Sequence, residues 1–319
     1  MSQSPSLSAP HQPPPATRNA LATFLDLIKF AHSIFALPFA LIATFWAFRT
    51  LRMSLLSGPC LARLALVLAC MVIARTWAMT FNRLIDRRFD AANPRTARRP
   101  SVTGEVSVPF MRFTLVLCFA LFLLATAGFL FFSNPWPLIL AVPVLAWLAT
   151  YSLTKRFTSL CHFWLGISLG LAPISAWLAI APPAASVLDA RGLTAILLGG
   201  GVACWVAGFD ILYALQDESF DRDMRLHSIP AALGRRNALR ISRLSHSAAA
   251  LFFLAVGFTG GFHLFYFLGY AAAVILLLIE QSLVSENDIS KINLAFMTAN
   301  GAIGLTFGAL AITDTLIFH

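Results

Sequence analysis

Long apolar stretches of similar length constrain the fold of this chain more than any other feature of its sequence. Nine runs approach the ~20 residues that an α-helix needs to cross a bilayer. The chain is 58% hydrophobic and only 12% charged, whereas soluble domains carry roughly 25% charged residues. Because the apolar period is helical, and a closed barrel would need alternating segments, the sequence predicts an all-α integral membrane protein. The nine predicted transmembrane helices cover residues 31–48, 60–82, 111–132, 136–153, 159–181, 193–216, 246–262, 264–283 and 292–316.

The positive charge of the chain lies mainly in alternate loops. The 2–3 loop carries Arg83, Arg87, Arg88, Arg95, Arg98, Arg99 and Arg112, and the 6–7 loop carries Arg222, Arg225, Arg235, Arg236, Arg240 and Arg243. Positive loop residues favour the cytoplasmic side, so we expect a multi-pass protein of the inner (cytoplasmic) membrane with a cytoplasmic N-terminus. The net charge of +9 is accounted for by this topology and does not indicate a nucleic-acid partner.

The N-terminal residues differ in composition from the rest of the chain. Residues 1–24 are rich in Pro, Ser and Ala and are predicted to form a disordered cytoplasmic tail. Residues 25–319 are predicted to form one polytopic domain. The five Cys residues all lie inside apolar stretches, where they are expected to pack as small hydrophobic residues rather than form disulfides.

Two polar strings stand where apolar runs end. The first consists of Asn82, Asp86 and Asp90, and the second of Asp210, Tyr213, Asp217 and Asp221. Four-residue spacing places the acids of each string on one face of a helix, with Asp210 about 10 Å deeper than Asp217. The predicted topology puts both strings on the cytoplasmic side, so we expect them to face each other across a cavity open to that side.

Two opposed rows of carboxylates favour a divalent metal. A carboxylate at membrane depth costs roughly 2.5–3.5 kcal/mol, and two converging rows would repel each other. Mg²⁺ prefers oxygen ligands and is typically held by one or two carboxylates plus substrate phosphates. The rows therefore predict a magnesium-bridged diphosphate. The candidate cations for the remaining phosphate charge are Arg75, Arg83, Lys155, Arg225 and His227.

Each of these features has a simpler interpretation. Acids interleaved with arginines in a loop are commonly solvated charge, and Arg75 could snorkel to the interface. Asp26 and Glu280 are interpreted as interfacial or packing charges. Most of the 28 Phe residues are expected to face lipid. Six rings near helix ends could instead shield a carbocation by cation–π contact, namely Phe30, Phe35, Trp77, Trp164, Trp177 and Phe209.

A Pro-xxx-Gly step follows both acidic strings at a similar distance. Pro100 precedes Gly104 in the first case, and Pro230 precedes Gly234 in the second. This echo suggests an ancient internal duplication.

The two strings together resemble the signatures of the UbiA superfamily of intramembrane prenyltransferases. Tyr151-xxx-Lys155-Arg156 resembles its helix-four boundary motif, and the similarity covers nearly the whole chain after residue 25. Residues 29–40 and 209–221 are most similar to the 4-hydroxybenzoate polyprenyltransferase branch, especially the subgroup proposed to prenylate a dihydroxynaphthoate in futalosine-route menaquinone synthesis. Arg83 stands where an acidic residue often follows the Asn, and His227 stands where many members have Lys, so the phosphate contacts are expected to differ.

The resemblance implies a fold and a reaction. The fold is a nine-helix UbiA-type bundle around a central cavity. The reaction is Mg²⁺-dependent transfer of a polyprenyl group from polyprenyl diphosphate to a hydroxylated aromatic acid, 4-hydroxybenzoate or a dihydroxynaphthoate, in ubiquinone or menaquinone biosynthesis. Asp210 and Tyr213 would orient the acceptor, and the prenyl tail would extend into membrane lipid. The expected metal-binding residues are Asn82, Asp86, Asp90, Asp217 and Asp221.

Two other activities compete with this interpretation. A haem- or chlorophyll-type prenyltransferase would share the metal site but need a wider acceptor pocket. A cation-coupled transporter also has carboxylates within its spans, but those lie near the bilayer midplane rather than in clusters at one mouth.

Overall fold

A computed structural model describes residues 19–55, 57–181 and 190–318. The helices in these ranges are α1 (Ala20–Leu27), α2 (Leu37–Thr50), α3 (Gly58–Ile85), α4 (Arg87–Ala92), α5 (Pro100–Thr103), α6 (Val108–Ala127), α7 (Trp136–Thr154), α8 (Cys161–Ile180), α9 (Ala190–Ala214), α10 (Glu218–Asp223), α11 (Ile229–Thr259), α12 (Leu264–Leu283) and α13 (Asn300–Ile317). Short 3₁₀ segments cover Phe30–Phe35, Gly128–Phe132 and Leu215–Asp217, and Leu294–Ala299 is a π-helix.

The membrane-spanning architecture agrees with the apolar runs. Within the described ranges, eight helices are long and apolar enough to cross a bilayer, and α2 is a shorter apolar helix of 14 residues. Large apolar side chains remain exposed on their outer faces, for example Val116, Leu124 and Leu251 at 68–70% exposure. Such faces suit lipid rather than water. The predicted all-α membrane fold is confirmed.

The first predicted span, residues 31–48, differs in its internal structure. Phe30–Phe35 forms a 3₁₀ segment, and α2 begins afterwards with Pro38 in its first turn. Proline is favourable in the first turn of a helix because the N–H that it lacks would have no hydrogen-bond partner within the helix there. At roughly 2.0 and 1.5 Å per residue, the two segments together reach about 33 Å, comparable with the ~30 Å hydrocarbon core.

The seventh span begins much earlier than predicted. Helix α11 starts at Ile229 instead of residue 246, with a break at Gly234, where φ is 74°. The arginines at 235, 236, 240 and 243 therefore lie on a helix rather than in the predicted loop. The sequence boundary was wrong because it followed the end of the apolar stretch, and a helix can continue beyond the bilayer.

The N-terminal boundary also differs. Residues 1–18 of the predicted tail lie outside the described residues, but residues 20–24 belong to α1. The side-chain oxygen of Asn19 accepts a hydrogen bond from the Leu21 amide at 3.1 Å. This contact satisfies one of the first-turn N–H groups that a helix leaves without an internal partner.

The gaps between predicted spans at residues 133–135 and at residue 263 coincide with short connections in the structure. At the first, Ser133 adopts φ 56°, and Asn134 Nδ2 donates to the Leu178 carbonyl at 2.7 Å. At the second, α11 ends at Thr259, and the backbone amide of His263 donates to Asp314 Oδ1 at 2.9 Å. Both polar contacts satisfy groups at helix ends.

Close packing of α8 on α9 determines the centre of the bundle. A methyl group added at Gly166 would overlap the Ala203 carbonyl, and one added at Gly170 would overlap the Gly199 carbonyl. Small residues at this four-residue spacing let helix backbones approach in membranes. Helix α8 carries His162, and α9 carries Asp210, so this packing also brings together two side chains of the cavity described below.

A buried polar cluster joins α9, α12 and α13. Asn300 donates to Glu280 Oε1 at 2.7 Å and accepts a hydrogen bond from Trp205 Nε1 at 2.6 Å. Glu280 is fully buried, so it lies inside the bundle and not at the interface. Asp26, by contrast, forms a partly exposed pair with Lys29, with 2.6 Å between Lys29 Nζ and Asp26 Oδ1.

The Pro-xxx-Gly echo has a structural counterpart. Pro100 and Pro230 each lie in the first turn of a helix, and Gly104 and Gly234 have φ values of 85° and 74°. A positive φ is the conformation in which glycine has an advantage over other residues. The loops after the two acidic strings therefore share a helix-starting proline and a positive-φ glycine, but the glycines differ in ψ, which is 2° at Gly104 and 166° at Gly234.

Candidate active site

Both acidic rows line one cavity of about 330 Å³. Asn82 lies in the last turn of α3, and Asp86 caps that helix. Asp90 lies on the short helix α4, Asp217 in the 3₁₀ segment after α9, and Asp221 on α10. Each row therefore follows a long helix into a short one, rather than running along one continuous helix as the spacing predicted. The break at Asp86 and the 3₁₀ segment after Ala214 turn the chain while keeping the acids on the cavity wall.

Each of the four acids at the cavity mouth is paired with a cation. Arg156 Nη2 lies 3.0 Å from Asp86 Oδ1, and Arg99 Nη1 lies 2.6 Å from Asp90 Oδ1. Lys155 Nζ lies 2.7 Å from Asp221 Oδ1. Arg95 makes a two-point contact with Asp217, with Nε 2.9 Å from Oδ1 and Nη2 2.5 Å from Oδ2. Buried carboxylates need such partners because an isolated buried charge is costly.

The first row has a further link within itself. Asn82 Nδ2 donates to Asp86 Oδ2 at 2.7 Å, and Asn82 Oδ1 accepts a hydrogen bond from Arg83 Nη1 at 2.9 Å. Burial raises the pKa of the Asp86 carboxyl above its ordinary value, and the hydrogen bond from Arg156 offsets only part of this rise. The Asn82 amide and the Arg156 guanidinium thus favour the ionised carboxylate that a cation would bind.

Three of the five predicted phosphate-binding cations lie on the cavity wall, namely Arg75, Arg83 and Lys155. Arg75 Nη2 donates to the Lys29 carbonyl at 2.8 Å, while its buried Nε has no hydrogen-bond partner. Arg225 and His227 are exposed and are absent from the wall. Arg225 lies in the turn after α10 with φ 54°, and its neighbour Leu226, not Arg225 itself, lines the cavity.

Sequence reasoning missed several cations and their neighbour Asn93. Arg95 and Arg99 were assigned only to topology, although both pair with acids of the two rows. Asn93 Nδ2 donates to Asp217 Oδ1 at 2.9 Å, which ties the loop after the first row to the second row. The proximity of these residues to Asp90 was the one signal available. Spacing alone could not distinguish them from the other loop arginines.

The deeper wall is aromatic around Asp210 and Tyr213. The rings of Tyr213 and Phe296 lie 4.2 Å apart, and Phe35 and Phe209 lie 5.3 Å apart between centroids. All of these residues line the cavity. The Arg95 guanidinium lies 5.2 Å from the Tyr213 ring centroid, within cation–π range.

Of the six rings predicted to shield a carbocation, only Phe35 and Phe209 line the described cavity. Trp164 stacks on Trp147, Trp77 stacks on Phe81, and Trp177 packs on Trp46. The prediction was wrong for these three tryptophans because their rings pack elsewhere in the bundle. The side chain of Phe30 lies outside the described part of the structure.

The carboxylate oxygens of the two rows are suited to bind Mg²⁺ together with a phosphate. Asp90 Oδ2 and Asp221 Oδ2 are buried without a hydrogen-bond partner, whereas Asp221 Oδ1 has Lys155 Nζ 2.7 Å away. Among the described residues, no three His, Cys, Asp or Glu side chains could hold a metal ion by themselves. Mg²⁺ is typically held by one or two carboxylates completed by substrate phosphates and water, and the unpaired carboxylate oxygens of Asp90 and Asp221 could serve as such ligands.

Comparison with known proteins gives the same assignment. The model of the UbiA prenyltransferase family matches residues 32–302. The chain is 28% identical over 299 residues to a 4-hydroxybenzoate octaprenyltransferase of Cronobacter sakazakii, covering 93% of this chain and 97% of that relative. The apo structure of a UbiA homologue from Aeropyrum pernix has a TM-score of 0.77 and 31% identity, over 89% of this chain and 98% of the other.

A more distant structure has the same fold. A UbiA homologue from Archaeoglobus fulgidus, bound to DMAPP and Mg²⁺, has a TM-score of 0.65 and 18% identity, over 92% of this chain and 99% of that one. The family match spans most of the chain, and it agrees with the helical bundle and with the two acidic rows at one cavity. The chain belongs to the UbiA prenyltransferase family.

Proposed function

We propose that this protein transfers a polyprenyl group from polyprenyl diphosphate to a hydroxylated aromatic acid. The observation that carries the proposal is the convergence of two acidic rows at the mouth of a cavity whose deeper wall is aromatic and contains Asp210. A charged mouth suits the diphosphate, and an aromatic interior suits a ring and an allylic carbon. The relative from Cronobacter sakazakii, a 4-hydroxybenzoate octaprenyltransferase, supports 4-hydroxybenzoate as the first acceptor to test.

The residues at the mouth would bind the diphosphate head. In this proposal, Asn82, Asp86, Asp90, Asp217 and Asp221 hold Mg²⁺ against it. The bound metal supplies electrostatic stabilisation of the departing diphosphate. Arg75, Arg83 and Lys155 cover the remaining negative charge. Arg95 and Arg99 are added to this group because they already contact the acids at the mouth. Arg225 and His227 have no support as phosphate contacts, because both are exposed away from the cavity.

The deeper wall would bind and orient the acceptor. When the allylic C–O bond breaks, the electron pair leaves with the diphosphate, and a new C–C bond forms to the aromatic ring. The ring then loses the proton at the carbon that was attacked. Asp210 is the proposed proton acceptor, and Tyr213 and Phe296 form the ring-binding surface beside it. Such proton transfer to a positioned carboxylate contributes typically 10²–10⁴-fold to a rate.

The same proposal includes a cellular setting. The positive loops favour a cytoplasmic N-terminus and a cytoplasmic-membrane location, and the prenyl tail would extend into lipid. The product would then enter ubiquinone synthesis if the acceptor is 4-hydroxybenzoate, or menaquinone synthesis if it is a dihydroxynaphthoate. The cavity volume of about 330 Å³ is at the low end of the ~300–1,000 Å³ usual for ligand sites, which favours these acceptors over a tetrapyrrole.

Incubation of the purified protein with octaprenyl diphosphate, Mg²⁺ and a panel of acceptors tests this proposal. The panel contains 4-hydroxybenzoate, a dihydroxynaphthoate and haem, and products are identified by mass spectrometry. We expect one prenyl group on an aromatic acid, one diphosphate released per product, and loss of product when Mg²⁺ is chelated. Prenylation of haem alone would contradict the acceptor assignment. Cation transport in proteoliposomes without diphosphate release would contradict the reaction itself.

A further inference from the structure

A buried histidine contacts the deepest acid of the cavity. His162 lies in the first turn of α8 with only 3% of its side chain exposed, and its Nδ1 lies 2.7 Å from Asp210 Oδ2. Asp210 itself is 24% exposed by side chain and lies on the cavity wall. The contact therefore involves one carboxylate oxygen, while the residue as a whole remains accessible from the cavity.

The partner of the second ring nitrogen shows which residue donates the hydrogen bond between His162 and Asp210. The backbone N–H of Ile229 points at His162 Nε2, with 3.2 Å between the two nitrogens. A backbone amide can only donate, so Nε2 is the acceptor and carries no proton. The proton of the neutral ring is then on Nδ1, which donates to Asp210. Ile229 begins α11, and its amide is one of the first-turn N–H groups that need a partner outside the helix.

The histidine thus joins three helices at the acceptor side of the cavity. Its backbone belongs to α8, its Nδ1 contacts α9, and its Nε2 contacts the start of α11. The neighbouring loop is held at the same junction, because the His227 amide donates to the Lys155 carbonyl at 2.7 Å. Two hydrogen bonds on opposite edges fix the imidazole plane, and the fixed imidazole in turn fixes the carboxylate of Asp210.

We propose that His162 is a positioning residue for the prenyl transfer reaction. It holds the Asp210 carboxylate in the orientation in which this group accepts the proton that the aromatic ring loses at the attacked carbon. This inference rests on the proposed function. The imidazole itself does not contact the substrate. The imidazole N–H is hydrogen-bonded to one oxygen of Asp210 and leaves the other oxygen for the aromatic substrate. Because His162 is the donor of this bond, the carboxylate acts only as a hydrogen-bond acceptor.

Three substitutions test separately the hydrogen bonds of His162 to Asp210 and to the Ile229 amide. In His162→Asn the side-chain amide nitrogen can occupy the place of Nδ1 and donate to Asp210. In His162→Gln the amide oxygen can occupy the place of Nε2 and accept from Ile229, but the donor to Asp210 is lost. His162→Leu loses both. Loss of a residue that orients a metal ligand costs typically about 10- to 100-fold in activity, and we expect an effect of the same size for the residue that orients Asp210.

We expect His162→Gln to lower kcat with the aromatic acid about 10- to 100-fold, and His162→Asn to recover activity to within about threefold of wild type. Binding of an unreactive prenyl thiolodiphosphate with Mg²⁺ should be unchanged in both variants, because the diphosphate residues are untouched. In an Asp210→Asn background, His162→Gln should cause no further loss, since the histidine acts through that carboxylate.

The outcomes are distinguishable. Equal activity of His162→Asn and His162→Gln, or a full additional loss in the Asp210→Asn background, would overturn the positioning role while leaving the proposed function intact. A wild-type protein that prenylates no aromatic acid would overturn both. Because His162→Leu could unfold, melting temperatures in detergent are compared for all variants, and the Asn and Gln pair carries the conclusion.

Discussion

Replacing Asp217 with asparagine is expected to abolish prenyl transfer while the protein stays folded. The carboxylate belongs to the second row, and it receives two hydrogen bonds from Arg95 and one from Asn93, both of which follow the first row in the chain. The asparagine keeps the shape but removes one of the negative charges proposed to bind the metal–diphosphate complex. Stabilisation of this kind is worth several kcal/mol, so we expect turnover to fall at least about 100-fold, as measured by product formation under saturating substrates.

The matched control for this substitution is Asp223→Asn. Asp223 is the last residue of α10, the helix that directly follows Asp217, but it is exposed and does not line the cavity, so the activity of the variant should equal that of wild type. Arg95 keeps 31% exposure, and its charge can therefore reach solvent when Asp217 is neutralised. Asp86→Asn is expected to show a loss similar to that of Asp217→Asn. Activity at the level of wild type in both would remove these acids from the mechanism.

A methyl group at Gly166 is expected to destabilise the bundle strongly. The added Cβ would overlap the backbone carbonyl of Ala203, which cannot rotate away, so α8 and α9 would have to separate. Overpacking of a well-packed core costs typically about 1–3 kcal/mol. Because His162 is four residues before Gly166 on α8 and contacts Asp210 on α9, the separation should also lower activity in the fraction that remains folded.

Heating followed by size-exclusion chromatography in detergent measures this effect. Gly166→Ala should lose the folded peak at a clearly lower temperature than wild type. Gly58→Ala is the control, since no atom lies within 4 Å of the Cβ position at the start of α3. Identical melting of the two variants would show that the close approach of α8 and α9 does not contribute to stability.

The sequence predicted the architecture well because its main determinant is local. Apolar runs of near-membrane length specify spanning helices without knowledge of tertiary contacts, and four-residue acid spacing specifies one helix face. The predicted helix boundaries were wrong where a factor other than apolar length determined the end of a helix. Pro38 divides the first span into two segments, and the charged start of α11 continues as helix beyond its apolar part.

The site was predicted in part for a related reason. Asn82 and the acids could be identified because their spacing is regular, and all line the described cavity. Arg95 and His162 could not, since their roles depend on contacts with residues 122 and 48 positions away. Arg225 was a reasonable candidate by proximity to Asp221, but its side chain is exposed and does not line the cavity. Which of these side chains reach the cavity is determined by the tertiary structure.

Calorimetric binding of an unreactive prenyl thiolodiphosphate, with and without Mg²⁺, tests the central claim most directly. The claim is that both acidic rows act on one metal-bound diphosphate. We predict tight binding by the wild-type protein only when Mg²⁺ is present, and marked weakening by Asp86→Asn on one row and by Asp221→Asn on the other. Equally tight binding without the metal, or in both variants, would contradict the account.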